Sequence, residues 1–383
     1  HRDLHSFPTR RSSDLVIDVL NSDWLTQGPT VKLFEQTVAG YCGAAHAVAV
    51  NSATSALHIA CLAAGLGPGE ILWTSPNTFV ASANCGLYCG AGVDFVDIDP
   101  RTYNMSVERL EEKLEQAKRD GKLPKVVIPV HFAGQPCDME AISRLAERYG
   151  FTVIEDASHA IGGRYQDEPV GNCRHSAMTV FSFHPVKIVT TGEGGMVLTN
   201  SLELHEQLVR LRSHGITRDP ALMTGEPHGP WYYEQIELGF NYRMTDIQAA
   251  LGMSQMTRLD EFVERRDQLA KRYDAALIDL PLTCPWQHPD TYSAFHLYVI
   301  RLDLGRIGKS HREVFEGLRS QGILVNLHYI PVHIQPYYRA LGFTGGDFPE
   351  AERYYREAIT LPLYAGLSES DQDRVITALR EII

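Results

Sequence analysis

Residues 125–158 read KVVIPVHFAGQPCDMEAISRLAERYGFTVIEDAS, and this stretch indicates the architecture of the chain. Two short runs rich in Val and Ile, 125–131 and 151–158, flank an amphipathic helical run at 138–150. A strand, a helix and a second strand in this order form a crossover connection, which joins parallel strands. The stretch therefore predicts two parallel strands with a helix packed on the sheet.

The same alternation continues on both sides of this stretch. Short apolar runs that read as strands lie at 45–50, 70–75, 93–99, 177–183 and 194–200, and helical runs lie at 55–66, 79–91 and 107–120. Repeated strand–helix–strand units predict an α/β fold with a mostly parallel sheet covered by helices on both faces. Ligands of such sheets bind beyond the carboxyl ends of the strands, so the residues that follow each strand are the candidates for chemistry.

The pattern changes after Asp246. One long amphipathic helical run (247–277) is followed by a strand-like run and two further helical runs, at 294–302, 309–320 and 369–383. Because 383 residues exceed what a single core usually supports, we expect two domains. A large α/β domain would span 16–246, and the long helix would lead into a smaller α+β domain within 247–383.

The first fifteen residues, HRDLHSFPTRRSSDL (1–15), differ from the rest of the chain. They contain no initiator Met and no apolar segment of the kind that a secretory signal needs, and they read like a foreign leader. We expect 1–15 to be poorly ordered.

Composition excludes several classes of function. Lys and Arg number 35 against 47 Asp and Glu, a net charge of −12, which argues against a general nucleic-acid binder. No apolar run approaches the length of a membrane span. The seven scattered cysteines favour reduced thiols in a cytoplasmic protein. Cys85 and Cys89 could share a helix face, but nothing nearby completes a zinc set, so we expect no metal site.

Polar residues follow three of the expected strands. Asn51-Ser52-Ala53-Thr54-Ser55 opens a helix after the first strand, where free N–H groups and the helix dipole can bind a phosphate. The same residues are also ordinary N-caps. Glu155 and Asp156 end a buried strand, where a carboxylate needs a cationic partner such as a metal, an arginine or a protonated ring nitrogen. A structural ion pair is the alternative interpretation.

The third polar segment is FSFHPVK (181–187), which places a lysine directly after an apolar strand. Desolvation would lower the pKa of Lys187 from ~10.4 toward neutrality and make it a nucleophilic amine, unless it is an ordinary surface lysine. A phosphate site, an acid and an amine at three strand ends match what pyridoxal 5′-phosphate requires.

Six motifs in order resemble the DegT/DnrJ/EryC1/StrS sugar aminotransferases, a family of fold-type I enzymes that use pyridoxal phosphate. They are SDWLTQGP (22–29), NSATSALHIA (51–60), SPNTFVAS (75–82), EDASHAIGG (155–163), FSFHPVKIVTTGEGG (181–195) and GFNYRMTDIQAALG (239–252). The resemblance runs from about residue 16 to the C-terminus. It implies an aspartate aminotransferase-like fold, and the intact lysine speaks against the family's dehydratases, where histidine replaces it.

The resemblance also implies roles for single residues. Lys187 would be the Schiff-base lysine and the proton carrier, Asp156 would pair with the pyridinium nitrogen, and His159 would lie near the ring O3′. The phosphate would be held by Thr54, Ser55 and Ser182, and by Asn241 of the neighbouring subunit. The active sites of a homodimer would therefore be shared.

Further residues are implied to line the site. Phe79 would stack on the cofactor ring, and the substrate would be contacted by His184, His328, Tyr329 and His333. Without the resemblance, Phe79 reads as a core aromatic, Asn241 as a turn residue, and His328 and His333 as polar loop residues.

The FHPVK and EDASHA forms of two motifs most resemble the branch of the family that serves pseudaminic acid biosynthesis. This resemblance implies transfer of an amino group from glutamate to C4 of a UDP-linked 4-keto-6-deoxy-N-acetylhexosamine. Alternatives are another nucleotide-linked keto sugar, of the perosamine or aminoarabinose type, and a non-catalytic regulatory protein that binds pyridoxal phosphate.

Overall fold

The computed structural model describes residues 10–383, with side chains from Ser13 onward. The helices are α1 (Arg10–Leu20), α2 (Pro29–Cys42), α3 (Ala53–Ala63), α4 (Ala81–Tyr88), α5 (Val107–Asp120), α6 (Met139–Tyr149), α7 (Leu202–Arg212), α8 (Asp246–Met256), α9 (Leu259–Leu277), α10 (His311–Ser320), α11 (Pro336–Ala340), α12 (Pro349–Glu357) and α13 (Glu369–Ile382). Within this range, no helix combines the length and the hydropathy needed to cross a membrane.

The strands alternate with these helices along most of the chain. They are β1 (His46–Val50), β2 (Ile71–Thr74), β3 (Gly92–Phe95), β4 (Val126–Ile128), β5 (Thr152–Asp156), β6 (Arg164–Tyr165), β7 (Glu168–Pro169), β8 (Met178–Ser182), β9 (Gly195–Thr199), β10 (Ile216–Thr217), β11 (Glu234–Gln235), β12 (Leu282–Thr283), β13 (Thr291–Tyr292), β14 (Tyr298–Leu302) and β15 (Ala358–Leu361).

Seven strands form a central sheet in the order β1-β9-β8-β5-β4-β2-β3. All neighbours from β8 to β3 are parallel, and β9 runs antiparallel to both β8 and β1. The link between β8 and β9 (183–194) contains no helix that could carry the chain across the sheet, so β9 returns beside β8 in the opposite direction. The predicted α/β fold with a mainly parallel sheet is confirmed.

Helices cover the two faces of this sheet, as the unbroken apolar strands require. Val126 and Ile128 of β4 pack with α3, α4 and α7, whereas Val127 packs with α5 and α6. Successive residues of a strand point to opposite faces, so a strand buried on both sides must be apolar at every position. This burial fixes the sheet and hence the positions of the residues at its carboxyl edge.

The predicted single helix at 247–277 is wrong. Two helices, α8 and α9, are separated at Thr257 and Arg258. The α8 helix and the start of α9, including Leu259 and Phe262, pack in the core beside the central sheet. The later turns of α9, from Leu269 onward, pack with a C-terminal antiparallel sheet ordered β12-β14-β15. The α9 helix thus contributes to both cores, with its first turns in one and its later turns in the other.

The expected leader, 1–15, overlaps the first helix of the described structure. Residues 1–9 lie outside the described residues, but α1 begins at Arg10 and continues to Leu20. Its Val19 is buried, and α1 lies against α8. Val19 is the buried residue of the apolar run that begins at Leu15, whereas Leu15, Ile17 and Leu20 are exposed.

Candidate active site

Three polar segments meet at one edge of the central sheet. The strands β1, β5 and β8 run in the same direction, since β9 is antiparallel to both of its neighbours. Their carboxyl ends therefore share an edge, which carries Asn51–Ser55, Asp156 and the loop from Ser182 to Lys187. The sequence prediction that these segments converge is supported by this topology.

Lys187 is held in a short turn that follows β8. Its backbone N–H donates to the carbonyl of His184 over 2.9 Å, and the flanking Phe183 side chain is fully buried. Burial lowers the pKa of Lys187 to about 8, while the carboxylate of Asp156 acts in the opposite direction. A substantial fraction of the amine is thus neutral near physiological pH and can act as a nucleophile or a base.

The two carboxylates at the end of β5 have different partners. Glu155 lies 2.7 Å from Nε2 of His131 and accepts hydrogen bonds from Ser176 and Thr179. Asp156, which points to the opposite face, accepts a 2.6 Å hydrogen bond from the hydroxyl of Ser82. The structural ion pair considered for this segment therefore belongs to Glu155. Asp156 is left with no cationic side chain bonded to it among the described residues.

Histidine 159 is fixed as a neutral imidazole. The N–H of Ala133 donates to its Nδ1 over 3.2 Å, so its own proton is on Nε2, 3.2 Å from the hydroxyl oxygen of Tyr329. Burial and the positive charge of Lys187 hold the pKa of His159 well below its usual range. An uncharged N–H donor is therefore presented beside the amine.

Two further histidines surround the same amine. The ring of His296 lies 4.4 Å from that of His159, and Nδ1 of His296 is buried with no hydrogen-bond partner in residues 10–383. Burial and the charge of Lys187 lower the pKa of His296 strongly and that of His328 to about 4. Only one of these four bases, the lysine, can hold a proton at neutral pH.

The N-terminal end of α3 forms a small polar cradle. Ser52 caps the helix by accepting from the N–H of Ser55, and the N–H groups of Ala53 and Thr54 have no acceptor in the described part of the chain. A Cβ added to Gly195 would lie 2.5 Å from the backbone N of Ala53, so only glycine allows β9 to approach the helix this closely. Free N–H groups and hydroxyls fit a phosphate group.

The remaining candidates for cofactor binding are Ser182, Phe79 and Asn241. Ser182 is buried at the end of β8. Phe79 is 58% exposed, and its ring lies 6.2 Å from the ring of Tyr329, so one aromatic face is available at this edge. Asn241 is exposed on the segment that bonds to Asn51 through the carbonyl of Tyr242.

Three of the four expected substrate residues are accessible or near the amine. His328 contacts the hydroxyl of Thr360, and the hydroxyl of Tyr329 contacts His159. His184 is exposed beside Glu193. The fourth, His333, is fully buried, and its Nε2 lies 3.0 Å from Glu352, so its expected contact with the substrate gains no support from the structure. Its ring lies 6.5 Å from that of Phe95 and 4.8 Å from that of Phe348.

Sequence reasoning missed Ser82, His296 and Asp246. Ser82 is the last residue of the quoted motif SPNTFVAS, but the motif gives no sign of the hydrogen bond from Ser82 to Asp156. His296 lies in an apolar run that reads only as a strand. Asp246, fully buried, accepts from the N–H groups of Gly28 and Thr30 and so joins the motifs at 22–29 and 239–252.

Comparison with known proteins agrees with this geometry. The model of the DegT/DnrJ/EryC1/StrS aminotransferase family matches residues 9–380. The chain belongs to this family. Aminotransferases of the family depend on pyridoxal phosphate.

Individual relatives cover almost the whole chain. The spore coat polysaccharide biosynthesis protein SpsC of Bacillus subtilis (strain 168) is 41% identical over 371 residues, 96% of this chain and 93% of the relative. The structure of Helicobacter pylori PseC, an aminotransferase involved in the biosynthesis of pseudoaminic acid, superposes with a TM-score of 0.88 at 31% identity, covering 99% of this chain and 97% of that one.

A third relative has been solved with its cofactor. The PLP-form of the putative sugar aminotransferase Spr1654 from Streptococcus pneumoniae gives a TM-score of 0.86 at 28% identity, covering 98% of this chain and 97% of that chain. The expected fold-type I architecture is therefore confirmed, and the chain is a sugar aminotransferase of this family.

Proposed function

We propose that this aminotransferase binds pyridoxal 5′-phosphate and moves an amino group from glutamate to C4 of a UDP-linked 4-keto-6-deoxy-N-acetylhexosamine. The observation that carries the proposal is the state of Lys187, an amine with a pKa of about 8 beside a single carboxylate. The likeness to PseC supports a substrate of the pseudaminic acid pathway. A non-catalytic role is disfavoured because the amine and the acid are both in place.

The residues present fit the cofactor. The N–H groups at the start of α3, with Thr54, Ser55 and Ser182, would hold its phosphate, and Phe79 would lie on its ring. Asp156 would face the pyridine nitrogen, since it has no other cationic partner to neutralise it. When bound, the cofactor supplies an electron sink that stabilises negative charge at the carbon that loses a proton.

The protein's own groups would move the protons. The neutral Nζ of Lys187 can accept a proton from a substrate carbon and return it to another, because both states of the amine are populated near its pKa. The Nε2–H of His159 donates to the oxygen of Tyr329, which leaves the phenol proton free to donate to a ligand. Burial and Asp156 raise the pKa of Tyr329, so this proton is retained.

The substrate would lie between the two parts of the chain. Lys187 and Asp156 come from 16–246, whereas His296, His328 and Tyr329 come from 247–383. We propose that 16–246 is the cofactor domain and that 247–383 supplies the substrate side. The strand pairing of β13 with β6 holds the two parts together.

A different nucleotide-linked keto sugar is the second candidate. SpsC, a protein of spore coat polysaccharide biosynthesis, is 41% identical to this chain, whereas PseC is 31% identical. This relation supports a polysaccharide precursor other than that of pseudaminic acid. The free, mostly buried thiols support the cytoplasm as the compartment of either reaction.

Purified holoenzyme with glutamate and a panel of UDP-, GDP- and dTDP-linked 4-keto-6-deoxy sugars tests the proposal. We expect glutamate to shift the visible absorption band, and we expect amine formation at C4 to be fastest with the UDP-linked N-acetylated sugar. A preference for a GDP- or dTDP-linked sugar would favour the second candidate. Absence of any spectral response to glutamate would contradict the aminotransferase assignment.

We also propose a homodimer in which Asn241 reaches the cofactor phosphate of the partner subunit. The segment that precedes it exposes large apolar side chains, Trp231 at 70% and Leu238 at 78%, which a second subunit would cover. In a two-fold dimer, Lys187 and Asn241 of one site would then come from different chains.

Subunit mixing tests the shared site. Asn241→Asp places a negative charge next to the phosphate, and Lys187→Ala removes the amine, so each parent dimer should be weak. In the mixed dimer one site carries both changes and the other carries neither, and activity should return toward half of the wild-type site count. If exchange is verified and no activity returns, Asn241 does not serve the partner's site.

A further inference from the structure

We propose that His296 binds the amino donor: in the positive surroundings of the buried Arg266, its free ring nitrogen receives the α-carboxylate of glutamate. His296 lies two residues before β14, and Arg266 lies on α9, so both belong to the C-terminal part of the chain. The inference rests on the proposed function and extends it, because it assigns a residue to the half of the reaction in which glutamate gives up its amino group.

The ring of His296 has no hydrogen-bond partner within residues 10–383, although only 6% of the residue is exposed. The two other imidazoles near Lys187 are both engaged. His159 is bonded through both of its ring nitrogens, and His328 is bonded through Nδ1. Buried polar side chains nearly always have a partner, so a free ring in this position points to a ligand that supplies one.

The free ring is a hydrogen-bond donor. Burial and the charge of Lys187 hold the pKa of His296 well below its usual range, so the imidazole is neutral and carries one proton. Its Nδ1 is enclosed and has no acceptor in the described part of the chain, whereas Nε2 is not enclosed. Buried N–H groups without an acceptor are rarer than buried acceptors without a donor, which places the proton on Nε2. An acceptor that enters beside Lys187 can take this N–H.

The backbone of His296 is fixed by the same loop that fixes His159. The carbonyl of Ala133 accepts from the N–H of Leu297 over 3.1 Å, and the N–H of Ala133 donates to Nδ1 of His159. A Cβ added to Gly134 would lie 3.0 Å from the backbone N of His296, so the loop packs directly on this residue. The two rings, 4.4 Å apart, are therefore held in one arrangement.

Arg266 makes the surroundings of this ring positive. Its Nη1 donates to the carbonyls of Phe295, His296 and Leu363 over 3.2, 3.4 and 2.9 Å, and only 3% of the residue is exposed. Burial lowers the pKa of Arg266 to about 10, and no carboxylate within residues 10–383 opposes this shift. A buried cation without a counter-ion is costly, and its charge acts on the ring of His296. The space beside this ring therefore favours an anion.

Among the anionic groups of the two proposed substrates, the α-carboxylate of glutamate fits this space. It is bonded to the carbon that yields its proton to Lys187, whereas the side-chain carboxylate lies two carbons further along. The diphosphate of the nucleotide sugar is attached at C1, across the ring from the reacting C4. A hydrogen bond from the N–H of His296 to a carboxylate is charge-assisted and hence stronger than one to a neutral hydroxyl.

Binding of 2-oxoglutarate to the holoenzyme, measured by isothermal titration calorimetry, tests the contact without turnover. This probe has both carboxylates of glutamate but no amino group to transfer. His296→Phe keeps an aromatic ring and removes both nitrogens, so we expect the Kd to rise about tenfold or more. The KM for glutamate should rise by a similar factor, while the KM for the nucleotide sugar changes little. The control is His288→Phe, which removes a partly exposed imidazole outside the site and should leave the Kd unchanged.

Replacing the carboxylates of the donor one at a time shows which of them is bound. Isoglutamine has an amide in place of the α-carboxylate, and glutamine has an amide in place of the side-chain carboxylate. Wild-type kcat/KM should be about tenfold or more higher for glutamate than for isoglutamine, and His296→Phe should lose most of this preference. The preference for glutamate over glutamine should be the same in both proteins.

Three results would overturn the inference. They are an unchanged Kd for 2-oxoglutarate in His296→Phe, an unchanged preference for glutamate over isoglutamine in that variant, and a rise in KM that is confined to the nucleotide sugar. Each of them leaves intact the spectral response of the wild-type holoenzyme to glutamate. Failure of this inference is therefore distinguishable from failure of the proposed function, in which that response is absent.

Discussion

Replacing Lys187 by Met should stabilise the cofactor-free protein at pH 7. Met is similar in length but has no charge to desolvate. The pKa of the amine is about 8 in the folded state, against about 10.4 in an unfolded chain. The folded state therefore disfavours the protonated form. The difference of about 2.4 pKa units corresponds to about 3 kcal/mol of destabilisation when the amine is charged.

The sign of the pH dependence follows from proton uptake on unfolding. Between pH 8 and pH 10 the unfolded chain binds the Lys187 proton while the folded chain has lost it, so wild-type stability rises with pH. Because Lys187 keeps some exposure to solvent, we expect the variant to be more stable by about 1–3 kcal/mol at pH 7. The advantage should fall below about 1 kcal/mol at pH 10. Asp156 keeps its hydrogen bonds from Ser82 and Ser158, which limits the cost of losing its neighbour.

Urea unfolding of cofactor-free wild type and Lys187→Met, at equal protein concentration and at pH 7, 8.5 and 10, measures this difference. Lys122→Met is the control, since Lys122 is exposed on the loop after α5; its effect should stay within about 0.5 kcal/mol at every pH. If Lys187→Met is less stable than wild type at pH 7, or if its gain in the free energy of unfolding does not change with pH, the folded protein does not bury a charged amine at Lys187.

Other substitutions separate site residues from structural ones. Asp156→Asn should lower kcat/KM by about a hundredfold or more, because an amide cannot favour a protonated ring nitrogen, while urea unfolding changes little. Glu155→Gln should do the reverse, costing about 1–3 kcal/mol of stability in urea through the weakened His131 pair with little change in kcat/KM. His333→Gln should lower the melting temperature, because the contact with Glu352 is lost, but it should leave the KM for the nucleotide sugar unchanged. A raised KM would show that His333 does contact the substrate.

Much of the fold could be predicted because local signals and packing agree. The helix predicted at 107–120 is confirmed as α5, with Ser106 as its N-cap and Gly121 in the left-handed conformation at its end. The strands of the central sheet were predictable because a strand that is buried on both faces must be apolar at every position. The break between α8 and α9 was not predictable, since Thr257 and Arg258 are neither Gly nor Pro and carry no strong helix-breaking signal.

The residues of the candidate site were likewise predictable only in part. Lys187 and Asp156 follow strands, so topology alone brings them to one edge. His296 and His333 could not be assigned from the sequence, because their positions depend on how distant segments pack. His296 enters the site where Arg266, on α9, donates to the carbonyls of residues 295, 296 and 363. His333 is withdrawn from the site by its contact with Glu352.

The distribution of charge explains why the amine, rather than an imidazole, exchanges protons in this site. Lys187, His159, His296 and His328 are all potential cations, but Asp156 is the one nearby carboxylate whose charge acts on Lys187. A second proton would have to be placed next to the first in a desolvated space, which Coulomb repulsion opposes strongly. Of these four groups, the lysine amine has the highest intrinsic pKa, so it takes the single proton that the site can stabilise. The three imidazoles remain neutral as the lysine titrates, so they can form hydrogen bonds with ligands without competing for the proton that the reaction moves.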